Sequence, residues 1–122
     1  MTILYLAGAL AFAVGCDIYD VVLTERGIKA GVAVEAFDWL VGSKPTAVAL
    51  YLRDSLITAF AMLPAIVVGL VFHNQAAFYG CLAAPVVLGI KHIRGGRAWT
   101  NLLAGGKPAS EPQTWWQKLL RG

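Results

Sequence analysis

The sequence predicts an all-α integral membrane protein with three transmembrane helices and a short interfacial amphipathic helix. Three observations carry that expectation. Three apolar runs are each long enough to cross a bilayer core of about 30 Å, which takes roughly 20 helical residues. Of the 122 residues, 58% are hydrophobic, against about 45–50% apolar in soluble domains even with glycine counted. Only 14% are charged, and these gather at the ends of the apolar runs. A soluble core in so short a chain could not hide that much apolar surface.

The first span is expected over residues 3–23. It opens ILYLAGALAFAVG and carries no charge before Asp17. Ala7, Ala11 and Gly15 lie four apart on one helical face, a small-residue stripe that lets another helix approach closely. Residues 3–14 also resemble the apolar part of a signal peptide, and Ala13-Val14-Gly15-Cys16 resembles a lipoprotein cleavage box. No Lys or Arg precedes the run, whereas a signal peptide opens on positive charge. The run is therefore read as an uncleaved membrane helix.

Residues 24–44 form the most charged internal stretch, punctuated by Gly27, Gly31 and Gly42. The ten residues VAVEAFDWLV between the last two glycines are too few to span. Val34, Phe37, Leu40 and Val41 share a face that excludes Glu35 and Asp38, the pattern of an interfacial helix with Trp39 at headgroup level. A cytosolic amphipathic turn packed under the bundle fits the same pattern.

Ser43 and Thr46 are both suited to cap the next helix, and Pro45 suits a first turn. The second span is expected over residues 46–72, with Arg53 and Asp54 near its start. Pro64 in its middle removes a donor and predicts a kink. His73-Asn74-Gln75 reads as a tight polar turn. The third span is expected over residues 76–93, with Gly80 and Ala84 as a second small-residue pair and Pro85 at its centre. A tail follows, begun by Lys91, Arg94 and Arg97 and broken by Gly95-Gly96. Gly105 to Pro112 reads as loop. Trp115, Trp116, Leu119 and Leu120 then suggest a last amphipathic turn against lipid. Trp39, Trp99, Trp115 and Trp116 are the expected interface anchors. The domain organisation is thus a three-span unit over 1–97 and a cytoplasmic amphipathic tail over 98–122.

Topology follows from the cations. Arg26, Lys29, Lys44 and Arg53 fall at or just inside the segment between the first two spans. Lys91, Arg94, Arg97, Lys107, Lys118 and Arg121 fall after the third. All ten therefore lie on one side of a three-span arrangement, and the positive-inside rule makes that side cytoplasmic, with the N-terminus outside. The net charge of +3 points to anionic lipid headgroups as partners rather than nucleic acid, since no basic patch is interleaved with aromatics.

Candidate functional residues are the charges placed where lipid makes charge costly: Asp17, Asp20, Arg53 and Asp54. Asp17, Asp20 and Thr24 share a face at i, i+3, i+7. Antiparallel neighbours bring the end of the first span beside the start of the second, so Arg53 is expected to pair with Asp17 or Asp20. The expected role is an ion-pair network that fixes helix register; a carboxylate-lined ion or proton path is the alternative. His73 and His92 are placed at opposite membrane ends as ordinary interface residues, so no shared metal site is expected. Cys16 and Cys81, the only cysteines, read as space-filling residues rather than a disulfide or zinc framework. Ser43, Ser55 and Ser110 have no catalytic partners in a recognisable arrangement, and the glycines form no phosphate loop. No cofactor and no enzymatic activity are expected.

Asp20-x-x-x-Thr24 followed by Gly31-Val32-Ala33-Val34-Glu35-Ala36 resembles small bacterial integral membrane proteins of unknown function. Those carry an Asp-x-x-x-Thr helix and then Gly-x-x-x-Glu-x-Asn-Pro; here Phe37-Asp38 stands where Asn-Pro would be. The resemblance covers under a fifth of the chain and implies no activity. In topology alone the layout is similar to three-span phage holins. The function expected is a structural or accessory membrane protein that self-associates or joins a larger membrane assembly, including a viral or phage membrane. The alternative is a homo-oligomeric pore, holin-like or ion-conducting.

Overall fold

The computed structural model describes residues 1–31, 41–42 and 44–105. Within them the chain is all-α, and three helical segments are long and apolar enough to cross a membrane: Thr2–Lys29, Ala47–Val71 and Gln75–Leu103. The first is one helix, α1 (Thr2–Lys29). The second is α2 (Ala47–Ile66), continued by a π-helical turn, Val67–Val71. The third is α3 (Gln75–Cys81) followed by α4 (Ala83–Leu103). The interfacial helix expected over residues 32–41, with Trp39, lies on 32–40 outside the described residues, as do Trp115 and Trp116.

The helices are longer than expected at two ends. The first span continues past Leu23 to Lys29, through the supposed break at Gly27. Glu25 and Lys29 pair at i, i+4 on its outer side, and the chain turns only where Gly31 takes a left-handed φ of 72°. The third span runs ten residues beyond the expected end at Ile93, to Leu103. Gly95 and Gly96 are thus helical, not a breaker, and the expected domain boundary at 97/98 falls inside α4.

Pro64 and Pro85 each mark a local departure, and each for its own reason. Pro64 is tolerated inside α2, and the helix widens into the π turn three residues later, where Phe72 N–H donates to Val67 O. Pro85 cannot donate to the carbonyl of Cys81 and its ring crowds that carbonyl. The third span is interrupted at Leu82, between α3 and α4. Caps follow the sequence. Thr46 Oγ1 accepts from Ala49 N–H at 3.2 Å and Asn74 Oδ1 from Ala77 N–H at 3.1 Å. His73 holds a left-handed φ of 50° in the turn between the second and third spans.

Packing shows the direction of each span. Gln75 Nε2 donates to Thr2 Oγ1 at 3.4 Å at one end, and Trp99 lies on Gly27 at the other. The first and third spans therefore run side by side in the same direction, and the second returns between those ends. The contact between α1 and α4 is the most extensive, and glycine makes it so: Phe12 seats on Gly89 and Tyr19 on Gly96. The apolar core occupies the end holding the N-terminus of α1, where Leu6, Ala9, Met62, Ala65 and Phe78 are buried together. Phe78 is fully enclosed and lies on Gly69, where a Cβ would come within 2.7 Å of its ring. The other half of the bundle is organised differently, around buried polar side chains.

Candidate functional site

Asp17 projects from the inner face of α1, which also carries Ala13, Val21 and Thr24. Asp54 projects from the inner face of α2 with Leu50, Arg53 and Thr58. His92 projects from the inner face of α4 with Pro85, Gly89, Gly96 and Trp99. The three meet inside the bundle: Asp17 is 6% exposed, Asp54 2% and His92 7%. One ligand atom from each lies within 4.8 Å of the other two.

Asp54 and His92 each have one atom tied down. Arg53 Nε donates to Asp54 Oδ1 at 2.8 Å, and both side chains are buried. The backbone under Asp54 is fixed by Thr58, whose hydroxyl donates to the Asp54 carbonyl at 2.8 Å. Asp20 Oδ2 lies 2.9 Å from His92 Nδ1. A carboxylate can only accept, so Nδ1 carries the hydrogen and the other ring nitrogen faces inward. Thr24 Oγ1 donates a long bond, 3.4 Å, to the other oxygen of Asp20. Gly95 makes room for that carboxylate, since a Cβ there would stand 2.8 Å from Asp20 Oδ1.

Among the described residues, Asp17 Oδ1, Asp54 Oδ2 and His92 Nε2 are buried with no hydrogen-bond partner. Asp17 Oδ1 and His92 Nε2 are 3.7 Å apart, beyond hydrogen-bonding distance. Asp17 also lines a groove of about 480 Å³ between α1 and α2, with Tyr51, Ser55 and Thr58 along its wall.

The structure thus brings Asp17, Asp20, Arg53 and Asp54 to one level, with a different pairing and one added member. Arg53 makes its close ion pair with its chain neighbour Asp54 rather than with Asp17 or Asp20. Asp20 instead holds His92. That histidine, expected at the membrane interface, is inside the bundle because α4 continues well beyond it. The spacing on α4 carried a signal: His92 lies three residues after Gly89 and four before Gly96, the face of closest approach to a neighbour. His73 is exposed in the turn at the other end.

The remaining expected residues divide differently. Ala7, Ala11 and Gly15 lie on the outside of α1, and Gly80 and Ala84 on the outside of the third span. A Cβ at Gly15 or Gly80 would meet nothing within 4 Å. Close packing within the chain uses Gly27, Gly69, Gly89 and Gly96 instead. Trp99, expected as an interface anchor, is 8% exposed and packs on Gly27.

Neither a protein-family model, nor a curated protein, nor a solved structure matches this chain. Its chemistry is read from its own residues.

Proposed function

We propose that this chain is a non-enzymatic, structural or accessory membrane protein that acts by self-association or by joining a larger membrane assembly. The outward position of Ala7, Ala11, Gly15, Gly80 and Ala84 carries the reading. In lipid no hydrophobic effect drives one helix against another, and close backbone approach over small side chains does much of that work. Within the apolar stretches of the three spans only 22%, 28% and 22% of residues are buried by the chain itself, so most of each helix is open to lipid or to a partner.

A pore is less well supported. A pore between copies would need a polar stripe along the outer face of a span, yet from Leu56 to Phe72 the outward side chains of the second span are all apolar. Orientation follows the charges. Arg26, Lys29, Lys44, Arg94 and Arg97 belong to the same end of the bundle, and the turn at His73-Asn74-Gln75 has no Lys or Arg. We place the basic end in the cytoplasm, against anionic headgroups, and the N-terminal end of α1 outside.

The test is native mass in mild detergent for the wild type and for Ala11→Leu and Gly80→Leu. Neither position is used inside the bundle, so the monomer fold is expected to stay intact. The proposal expects a wild-type complex larger than one chain and a loss of that mass in at least one variant. A wild type that runs as a monomer, and that co-purifies with no second membrane protein, overturns it.

A further inference from the structure

We propose that Asp17, Asp54 and His92 together bind one divalent cation of the Mn²⁺-to-Zn²⁺ series inside the bundle. Asp17, Asp54 and His92 come from three helices, and each offers a ligand atom within 4.8 Å of the other two. Each also has one buried atom, Asp17 Oδ1, Asp54 Oδ2 and His92 Nε2, with no hydrogen-bond partner among the described residues. Leaving even one buried polar atom unpaired is costly, and charged ones cost more. Three such atoms on side chains this close together are explained by a ligand that all three accept. A metal ion is the ligand that takes electron pairs from a carboxylate, a second carboxylate and an imidazole at once.

The surroundings fit this reading independently. A metal-bound histidine commonly donates its other ring nitrogen to a carboxylate, which fixes the ring and raises its basicity. Asp20 stands in that position at 2.9 Å from Nδ1. Arg53 holds the non-ligating oxygen of Asp54 in the same way, at 2.8 Å. Ligand atoms around a tetrahedral ion at about 2.0–2.1 Å are about 3.3–3.4 Å apart. The Asp17 Oδ1 to His92 Nε2 separation of 3.7 Å therefore needs to close by only a few tenths of an ångström.

Charge and donor type select the ion. Asp17 and Asp54 as carboxylates, with a neutral imidazole, balance the two charges of a divalent cation. Neutral sets are strongly favoured at low dielectric. With no thiolate among the donors the site is wrong for Cu⁺, and an imidazole with two carboxylates suits Mn²⁺, Fe²⁺, Co²⁺ or Zn²⁺ better than Mg²⁺ or Ca²⁺. Asp17 also lines the groove between α1 and α2.

The experiment uses untagged, full-length protein in detergent, stripped with chelator and titrated with Co²⁺ alone. Binding is followed by the visible ligand-field spectrum and by equilibrium stoichiometry. The proposal expects saturation at one Co²⁺ per chain, intense bands of a low-coordinate site, and displacement by Zn²⁺. His92→Gln and Asp54→Asn should each weaken binding by about 100-fold or more. Asp20→Asn, which keeps all three ligands, should weaken it by about 10–100-fold, and His73→Asn should change nothing. A wild type that shows only the weak spectrum of hydrated Co²⁺ overturns the proposal, and points to a proton shared between the two carboxylates. Wild-type affinity in His92→Gln also overturns it. Should that variant not fold, unchanged affinity in Asp20→Asn overturns it equally. These outcomes do not depend on whether the protein self-associates.

Discussion

Asp54 is the most deeply buried charged group described in the bundle, 2% exposed, and the Arg53 guanidinium sits directly against it. The pair illustrates an asymmetry of ion pairs at low dielectric. Forming one gains little net energy, because both partners lose their hydration. Removing one partner leaves a bare charge, at a cost of about 3–5 kcal/mol. Arg53→Ala in chelator-treated protein should therefore lower stability by an amount of that order. The double change Arg53→Ala with Asp54→Asn should recover more than half of the loss. Thermal unfolding of the four forms in detergent checks this, and strictly additive effects would show that the two side chains are not coupled. The importance of these charges is legible in the sequence, because ionisable residues inside apolar runs are functional or structural by necessity. Their partners are not. Helical depth places Arg53, Asp17 and Asp20 at one level, but which carboxylate it meets depends on the rotation of α2 about its axis. The composition alone does not fix that rotation.

At the level of the helix, glycine has two opposite uses in this protein. Gly27, Gly89 and Gly96 give up their Cβ so that Trp99, Phe12 and Tyr19 can lie on the backbone of a neighbouring helix. Gly15 has open space where a Cβ would be. Gly96→Ala should thus destabilise the fold by about 1–3 kcal/mol through overpacking against Tyr19. Gly15→Ala should be neutral or stabilise it by up to about 1 kcal/mol through helix propensity. Tm shifts of opposite or clearly unequal size would bear this out, and equal losses would contradict it. Reading the sequence for small residues four apart finds the outward stripe first, because that spacing is the more regular one. The inward glycines pair with aromatics on another helix, which a single-helix pattern cannot display. The ends of α1 and α4 are hidden in the sequence for the same reason: Gly27 and Gly95-Gly96 have the composition of breakers, but Trp99, Asp20 and Tyr19 fill the space they leave.

Considered whole, the molecule is divided along its length. One half is an apolar plug of Leu6, Met62 and Phe78; the other encloses the polar cluster and bears the basic helix ends. That the chain forms three membrane-length helices was readable from run length and charge sorting, because lipid imposes a simple rule on both. His92 was missed because the third span outlasts its apolar stretch: beyond Ile93 the helix is held by packing against α1 rather than by hydropathy. Three crossings, as proposed, would place the N-terminal end of α1 and the C-terminal end of α4 on opposite sides of the membrane. Single cysteines placed at Thr2 and at Ser110, in a background with Cys16 and Cys81 replaced by alanine, report this when an impermeant thiol reagent is added to intact cells. The account expects labelling from outside at position 2 and protection at position 110 until the membrane is opened. Labelling of both positions from the same side would contradict the three-span arrangement itself.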